Sequence, residues 1–391
     1  MDALPIELLE MVASGLDDID IFHLRLVNRR LQRHLLPYFS RRYFRTRYHM
    51  LSRHSLENLQ QVTSHPAFGR SLRQLIITPH HLSVHHRLSS QILEETQINE
   101  EGYKKFWAEQ NYLKSSGFYV ASLAIALSQA RNCKTIGIED NWDHHPWGLG
   151  VLKEHIGVDP ASTFESDESL EFLAQIIHVV FSAVIASRTA LQGFHFNVGL
   201  SSIPPNPSML RIPTSVVDNT AFPSMLRTLG LLLALPDTDA TTWAIDLGRF
   251  IMNFDQLYNL ELMFYARLEP QYLKGLHEII HLEKLRVLTI SSVEGGEEEL
   301  AQILTSHKAT LKKVYLDTIN LSSLESWKWL LEKIRDQLSL EYLELSDCLV
   351  DDTYTVNLRG QPAVRDKPII VVHEGEGEMD YLIKDLIMQS L

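Results

Sequence analysis

Histidines and acidic residues are the side chains in this chain whose spacing could support metal binding or acid–base chemistry. His80-His81 and His85-His86 are spaced so that two imidazoles could reach one metal ion. No nearby cysteine or clear carboxylate ligand accompanies them, and this favours a histidine-rich surface loop over a metal site. Asp143-His144-His145 could act in general acid–base catalysis. These residues fall in a predicted loop with no recognisable nucleophile spacing, which argues against a catalytic role.

Signals for a nucleophile or a phosphate-binding loop are weak as well. Cys133 occupies an apolar position of a repeated pattern and Cys348 follows another copy, so neither resembles an exposed catalytic thiol. Glu374-Gly375-Glu376-Gly377 is too acidic to hold a phosphate. We therefore expect no catalytic residue, no metal, no cofactor, and a protein that is not an enzyme.

The elements that position these residues are indicated by a repeated apolar pattern, Leu-x-x-Leu-x-Leu with conservative replacements. Its eight copies begin at Leu72, Cys133, Leu191, Leu226, Leu257, Leu285, Leu311 and Leu340. The last five intervals between copies are 26 to 35 residues long, which is close to the leucine-rich-repeat period. The first two intervals are longer and predict insertions.

Most copies follow a stretch with helical periodicity, as at Tyr272 to His281 and Ser326 to Gln337. Strand–helix units of this kind must stack, because each covers its neighbour's apolar face. The predicted fold is α/β, with a leucine-rich-repeat-like solenoid and a curved parallel sheet over residues 71–391. Insertions are predicted at 79–132 and 141–168. A globular α/β domain is the alternative, since single copies of the pattern also fit ordinary buried strands.

The C-terminal residues complete the predicted solenoid. Pro368 to Val372 predicts one further strand, and Met379 to Leu391 predicts an amphipathic closing helix. A terminal unit of this kind would cover the edge of the last repeat, which otherwise exposes its core.

Helical periodicity occurs twice in the first forty residues. Apolar residues recur at three- and four-residue steps, at Leu4, Leu8, Val12 and Leu16 and then at Leu24, Val27, Leu31 and Leu35. The break after the first run predicts a left-handed stop at Gly15 and a helix cap from Asp17 or Asp18. Short helices cannot bury this much apolar surface alone, so part of it must face the rest of the chain or another protein.

The residue types of this segment are more specific than its period. Leu4-Pro5-x-Glu7-Leu8-Leu9 is followed by Asp20-Ile21-Phe22-x-Leu24-Arg25-Leu26-Val27-Asn28-Arg29-x-Leu31. Together the two motifs closely resemble an F-box, a three-helix module that docks on a Skp-type adaptor and through it on a cullin–RING ubiquitin ligase. The resemblance places an F-box at residues 1–45. It implies an adaptor contact through Leu4, Pro5, Ile6, Leu8, Leu9, Leu24, Val27 and Leu31. A helical hairpin packed on its own domain is the alternative.

Later motifs extend the resemblance. The F-box is followed by the Arg-rich, aromatic segment Arg41 to Tyr48, by His54-Ser55-Leu56-Glu57-Asn58-Leu59 and by Phe106-Trp107-x-x-Gln110-x-Tyr112-Leu113. This order resembles fungal F-box proteins with a divergent repeat domain. The resemblance implies a substrate receptor of a Skp–cullin–RING ligase, in which the F-box holds the adaptor and the repeat domain binds a target protein. A repeat scaffold that assembles with the adaptor without ubiquitination is the alternative.

Charge is unevenly distributed along the chain. The first 56 residues carry nine arginines and six acids, a net charge of +3, and the remainder carries a net −16. A large acidic domain repels nucleic acid and anionic membranes and favours neutral or basic protein partners. Arg41 to Tyr48 could contact nucleic acid through arginines and stacked rings. A structural role beside a helical linker at 46–70 is favoured, because nothing else in the chain is basic.

Three features predict a cytoplasmic or nuclear protein with no membrane partner. Asp2 and Glu7 flank the first apolar residues, where a secretory signal would need basic ones. The most apolar run, Phe172 to Ala186, is shorter than a bilayer span. The two cysteines lie far apart in sequence and suggest no disulfide framework.

Side-chain alternation along the predicted strands gives a candidate target-binding surface. The leucine positions should face the core, so the intervening residues should face the opposite side of the sheet. An aromatic and acidic patch would then form from Glu261, Tyr315, Asp317, Tyr342 and Glu344. Such a patch favours a basic segment of the target. A solvated sheet face without a partner is the alternative.

Overall fold

The structure is a computed structural model of the 391-residue chain. It describes residues 4–85, 87–88, 98–141, 143–161, 166–199, 206–210, 212, 225–234, 240–352, 354–358, 370–374, 383 and 386–390. The chain divides into two compact units. The first is built from Met1–Gly137, Asp143–Pro160 and Ser182–Thr189, and the second from Ile138–Trp142, Ala161–Phe181 and Ala190–Leu391.

Three short helices open the first unit: α1 (Ile6–Ser14), α2 (Asp18–Val27) and α3 (Arg29–Tyr43). The predicted cap is confirmed at Asp17, whose Oδ1 accepts a hydrogen bond from the Asp20 amide at 2.8 Å. Asn28 Oδ1 caps α3 in the same way, accepting from the Leu31 amide at 2.8 Å. The predicted left-handed stop is wrong, because Gly15 has a φ of −88°.

An apolar core holds these helices together. Leu9, Ala13, Leu31 and Leu35 are buried in it, and Leu24 and Tyr38 pack against it. The C-terminal end of α3 then contacts the next two helices, α4 (Arg53–Ser64) and α5 (Pro66–Ser71), through aromatic rings. Phe44, just after α3, stacks on Phe68 of α5 with ring centroids 4.0 Å apart. The three-helix module therefore packs on the remainder of its own unit.

A strand opens the segment that the sequence predicts to be a helical linker. Residues 46–50 form β1 (Thr46–Met50), and the helical interpretation of 46–70 is wrong there; α4 and α5 occupy most of the rest. β1 pairs in parallel with β2 (Gln74–Thr78), so that Thr46 lies opposite Gln74 and Met50 opposite Thr78. The segment becomes a strand because a partner 28 residues away supplies its backbone hydrogen bonds.

The rest of the first unit surrounds these strands. It contains α6 (Glu100–Ser115), α7 (Phe118–Gln129), the start of β3 (Thr135–Glu139) and α8 (Leu149–Ile156). Met50, Tyr103 of α6 and Leu152 of α8 belong to one buried cluster. The loop before α8 also reaches β1, because the Trp147 amide donates a hydrogen bond to the Tyr48 carbonyl at 2.9 Å.

The apolar run near residue 180 forms a single long helix, α9 (Asp167–Ser187), longer than the sequence interpretation allowed. By length and composition this helix could cross a membrane, with a mean hydropathy of 1.8. Its apolar side chains are instead buried in the protein, including Ile176, Val180 and Phe181. Phe181 contacts Phe194 with ring centroids 4.9 Å apart. These contacts are those of a core helix.

Strands and helices alternate through the second unit. In chain order they are β4 (Gly193–Asn197), β5 (Thr228–Leu233), α10 (Ala240–Ile251), β6 (Asn259–Leu268), α11 (Pro270–Ile279), β7 (Val287–Glu294), α12 (Glu297–Ser306), β8 (Lys313–Leu321), α13 (Leu324–Gln337) and β9 (Tyr342–Ser346). Each strand from β4 to β8 pairs in parallel with the strand that follows it. The fold is therefore mixed α/β with a parallel sheet.

The repeated leucine positions face the helices. Leu260 and Leu262 of β6 and Leu288 of β7 line a small apolar cavity of about 20 Å³ together with Leu273 and Leu276 of α11. All pattern positions are buried except Leu340, whose place in the core is taken by Leu338. The expectation that these leucines form the core is confirmed.

A left-handed residue recurs at one position of three successive copies. Ser292, Thr318 and Asp347, with φ of 64°, 52° and 47°, each lie seven residues after the first leucine of their copy. In β7 and β8 the pairing resumes beyond this residue, with Val293 opposite Ile319. Both of these side chains are fully buried. The extra residue thus acts as a bulge that returns the following side chains to the core.

Antiparallel strands end the second unit: β10 (Leu349–Val350), β11 (Tyr354–Leu358), β12 (Ile370–Glu374) and β13 (Leu386–Ser390). The predicted strand is confirmed at Ile370 to Val372, which pair antiparallel with β9. The predicted closing helix is wrong at residues 386–390, because they pair antiparallel with β11. Most of the other residues of that predicted helix lie outside the described residues.

Candidate functional site

Large apolar side chains of α1 and α2 lie on the protein surface. Of the eight predicted adaptor contacts, Leu4, Pro5, Ile6, Leu8 and Val27 are exposed. Val27 is 67% exposed, which is unusual for an apolar side chain at the end of a well-packed helix. These five residues occupy positions from which a partner protein could be contacted directly.

The other three predicted contacts do not belong to this surface. Leu9 and Leu31 are 1% and 2% exposed and lie in the core of the three-helix module, so their assignment as direct contacts is corrected. Leu24 is half-buried against the same core. These residues hold α1, α2 and α3 in place and so position the exposed ones.

Four exposed apolar residues were missed by the sequence interpretation. Met11, Ile19 and Leu26 are 68%, 66% and 79% exposed, and Phe22 is 45% exposed. Ile19, Phe22 and Leu26 recur at helical spacing on one side of α2. Their signal was present in that spacing, because α2 carries more apolar residues than its single buried one, Ile21, can account for.

The basic residues at the end of α3 are engaged within the three-helix module. Arg41 pairs with Glu10 of α1 at 2.8 Å, and Arg42 pairs with Asp18 of α2 at 2.9 Å. The Tyr43 hydroxyl donates a hydrogen bond to Asp18 at 2.7 Å. Burial and this bond to a carboxylate raise the pKa of Tyr43 to about 12. The contacts support the structural role that the sequence favours for Arg41 to Tyr48.

A second candidate surface lies on the face of the sheet that points away from the helices of the second unit. The strand register places Glu261, Thr289, Tyr315 and Glu344 in one row across β6 to β9. Asp317 lies opposite Ser346 in the next row. A groove of about 450 Å³, hereafter the sheet groove, is lined by Asn259, Glu261, Tyr315, Asp317 and Glu344 among others.

The structure therefore brings together the residues predicted for target binding, with one adjustment. Tyr342 is not among the residues that line the sheet groove. It lies beside the groove, where its ring contacts that of Tyr315 at a centroid distance of 5.2 Å and its hydroxyl donates a hydrogen bond to Glu344. Tyr342 thus supports the wall of the groove.

Two further residues shape the end of this row. His195 and Gly230 lie in register with Glu261 on β4 and β5. A Cβ placed on Gly230 would come 2.8 Å from His195 Nδ1 and 3.3 Å from Glu261 Oε2. Both side chains therefore lean over the space that glycine leaves open. Burial raises the pKa of Glu261 and lowers the pKa of His195, so each group is displaced towards its neutral form.

The residues considered first for chemistry are placed apart from these surfaces. Burial raises the pKa of Cys133 to about 12 and also raises that of Cys348, so neither sulfur is a ready nucleophile. His81 is buried, with Nδ1 2.9 Å from the Pro79 carbonyl, so the expectation of a surface loop fails there. His86 lies outside the described residues. Within the part of the chain that the structure describes, no group of three or more His, Cys, Asp or Glu side chains could hold a metal.

Comparisons with known proteins agree with the N-terminal geometry. No curated protein matches the chain. Among solved structures, the crystal structure of the Rad7 and Elc1 complex in yeast is similar over 86% of this chain and 79% of that chain, at 12% identity and a TM-score of 0.33. Likeness at this level carries no conclusion about function. The F-box domain model matches residues 1–36. The N-terminal module of this chain is therefore an F-box domain, followed by a mixed α/β region.

Proposed function

We propose that this protein is a substrate receptor of a Skp–cullin–RING ubiquitin ligase. Its F-box domain docks on a Skp-type adaptor, and the α/β region binds the target protein. The chain contributes binding and orientation, while the chemistry of ubiquitin transfer belongs to other subunits, so it is not itself an enzyme. The setting is the cytoplasm or the nucleus.

One observation carries the proposal: the F-box domain exposes large apolar side chains after its own core is filled. Leu8, Met11, Ile19, Leu26 and Val27 remain on the surface while Leu9 and Leu31 complete the core. Burying one such side chain against a partner contributes about 1.5–3 kcal/mol. A module of this size that leaves several of them exposed is explained by a protein partner that covers them.

The α/β region supports the receptor role through its regularity. Strand and helix alternate from β5 to β9, the leucine pattern marks each strand, and a bulge recurs at Ser292, Thr318 and Asp347. We interpret this region as a leucine-rich-repeat-like solenoid of the type found in fungal F-box proteins. Stacked units of this kind offer a long sheet face for another protein.

Adaptor docking is tested with the double variant Leu8→Asp, Leu26→Asp in the full-length chain. A charged side chain at each position should abolish co-purification of a Skp-type adaptor, because an uncompensated carboxylate would be buried at the interface. Ile245→Asp is the matched control, since Ile245 is an exposed apolar residue of α10 in the second unit. Adaptor binding that survives the double variant, or that the control also removes, contradicts the proposal.

An F-box scaffold that assembles with the adaptor without ubiquitination is the second candidate. Both candidates require the same exposed apolar residues, so a different measurement separates them. Proteins captured on the full-length chain are compared with and without proteasome inhibition. A receptor accumulates ubiquitinated partners when the proteasome is blocked, and the Leu8→Asp, Leu26→Asp variant does not. A scaffold captures the same unmodified partners under both conditions.

A further inference from the structure

The sheet groove contains three carboxylates, and the structure distinguishes one of them. Asp317 accepts hydrogen bonds from the Ser291 hydroxyl at 2.8 Å and from the Thr318 hydroxyl at 3.3 Å. Glu344 accepts one from the Tyr342 hydroxyl. Glu261 has no hydrogen-bond donor or basic side chain among the described residues. Two of the acids are thus satisfied within the protein, and Glu261 is not.

Glu261 also carries the cost of partial burial. Its pKa is raised, and loss of hydration is the cause. A carboxylate that loses water and gains no donor is unfavourable by itself, and a cation placed beside it would reverse the penalty. His195 leans towards the same space from β4, but burial lowers its pKa, so the imidazole does not supply the missing positive charge at neutral pH.

A second acceptor in the groove is left without a donor. Asn259 lies two residues before Glu261 on β6, so its side chain is on the same face of the strand. Asn259 Oδ1 is buried and has no hydrogen-bond partner. The groove therefore presents a carboxylate and an amide oxygen that both require N–H donors. A lysine ammonium has three donors and an arginine guanidinium has five, each with a positive charge.

The remaining wall of the groove fits the stem of such a side chain. Tyr315 lies in the same row as Glu261, with Thr289 of β7 between them. Its ring, held by Tyr342 at 5.2 Å, offers an aromatic face for methylene groups and for a cation. Lys313 is on the same face of β8, but it is exposed and does not line the groove. It therefore leaves the position beside Glu261 open to a ligand.

The dimensions favour an extended peptide. The row from Glu261 to Glu344 crosses four strands, which at about 4.8 Å per strand is about 14 Å. Four residues of extended chain, at about 3.4 Å each, have the same length. A basic segment also suits the large negative charge of the chain outside its first 56 residues.

We propose that the sheet groove binds a lysine or arginine side chain on an extended segment of the target protein, with Glu261 as the carboxylate that pairs with it. The proposal rests on the receptor function above and adds the chemical class of the target segment. Asn259 accepts a further hydrogen bond from the bound cation, and Tyr315 covers its stem. Asp317 and Glu344, which have partners of their own, contribute to the negative field around it.

The test uses the full-length chain and two fluorescein-labelled pentapeptides at about 0.15 M salt, where long-range attraction is largely screened. One peptide alternates alanine with two lysines, and the other has glutamate at the same positions. The lysine peptide should bind, and the glutamate peptide should not. Glu261→Gln, which keeps the shape of the side chain, should weaken binding of the lysine peptide at least tenfold. Tyr315→Ala should weaken it about fivefold.

Glu332→Gln is the matched control, because Glu332 is an exposed acid of α13 and its replacement changes the net charge equally. It should leave peptide binding unchanged. Equal losses in Glu261→Gln and Glu332→Gln would show general electrostatic attraction and overturn the proposal. So would binding of the glutamate peptide, or no binding of the lysine peptide to the folded wild type. Adaptor co-purification is measured on the same proteins: its loss with peptide binding intact would contradict only the receptor function, and the reverse would contradict only the groove.

Discussion

Arg41 Nη2 lies 2.8 Å from both carboxylate oxygens of Glu10, which precedes it by 31 residues. The contact joins the last turn of α3 to α1 and closes the F-box helices into one module. It also explains the charge pattern of the N-terminus, where an acidic run is followed by an arginine-rich one. The two runs form ion pairs with each other.

Replacing Arg41 should therefore change little except the local contact. Its side chain is 59% exposed, and surface ion pairs contribute at most about 1 kcal/mol. We expect Arg41→Gln to lower the free energy of unfolding by less than about 1 kcal/mol in chemical denaturation. A larger loss would show that the pair is more than a surface contact.

The same arginines should not make the protein a nucleic-acid binder. Arg41 and Arg42 are already paired with acids, so few charges remain to neutralise phosphates. Electrophoretic mobility shifts at increasing salt should show no tight complex with RNA or DNA, for the wild type or for Arg42→Gln with Arg45→Gln. A complex with a steep salt dependence would contradict this expectation, because release of counterions produces that slope.

Leu8 and Leu9 are adjacent residues with opposite roles. Leu9 is buried in the F-box core, so Leu9→Ala should lower the free energy of unfolding by about 2–5 kcal/mol. Leu8 is 44% exposed, and Leu8→Ala should change stability by less than about 0.5 kcal/mol. Leu8→Ala should nevertheless weaken adaptor binding by about fivefold or more, as expected for an apolar contact at an interface. Thermal denaturation and a binding titration on the same preparations separate the two effects, and equal stability losses would contradict the assignment.

Two glycines predict opposite effects of an added methyl group. A Cβ on Gly248 of α10 would lie 2.1 Å from Ile279 Cγ2 of α11, so Gly248→Ala should destabilise the fold by about 1–3 kcal/mol. Gly150 of α8 has nothing within 4 Å of its Cβ position. Gly150→Ala should stabilise the protein by about 0.4–1 kcal/mol, because alanine restricts the unfolded chain. Urea unfolding of the two variants checks both signs.

Stability should fall as the solution becomes mildly acidic, because of His49. This imidazole is fully buried, and burial lowers its pKa to about 3. Below its ordinary pKa of about 6.5 the unfolded chain takes up a proton that the folded chain excludes. The contribution of neutral His49 is thus complete above pH 6.5 and is lost progressively as the pH falls towards 3. Its share of the loss between pH 7.5 and 5.5 is about 1 kcal/mol. Histidine NMR should show His49 still neutral at pH 5.5, and a titration midpoint near 6 would contradict this.

The sequence predicted periodicity well and faces less well. The leucine pattern located β2 to β9, because a residue spacing of two along a strand specifies which side chains share a face. In α1, however, Leu8 and Leu9 are neighbours of the same type, and only packing against Leu31 and Leu35 decides which is buried. The spacing of apolar residues could not make that choice, so Leu9 was assigned to the surface.

Strands at the ends of the sheet were missed for a related reason. β1 and β13 acquire their structure from β2 and β11, which are distant in sequence. Within the candidate target site, alternation and repeat spacing placed Glu261, Tyr315 and Glu344 in one row. The isolation of Glu261 could not be anticipated, since it depends on which hydroxyl groups reach Asp317 and Glu344 and on the space above Gly230.

The contact between Trp147 and β1 has a consequence for solubility. β1 is the terminal strand of its sheet, and an uncovered edge of this kind is a template for strand addition by another molecule. The Trp147 amide occupies the Tyr48 carbonyl, and a bridge joins His49 to Trp147, so part of that edge is already used. The insertion before α8 thus acts as a guard against edge-to-edge aggregation, and a chain shortened by residues 143–148 should self-associate where the intact protein does not.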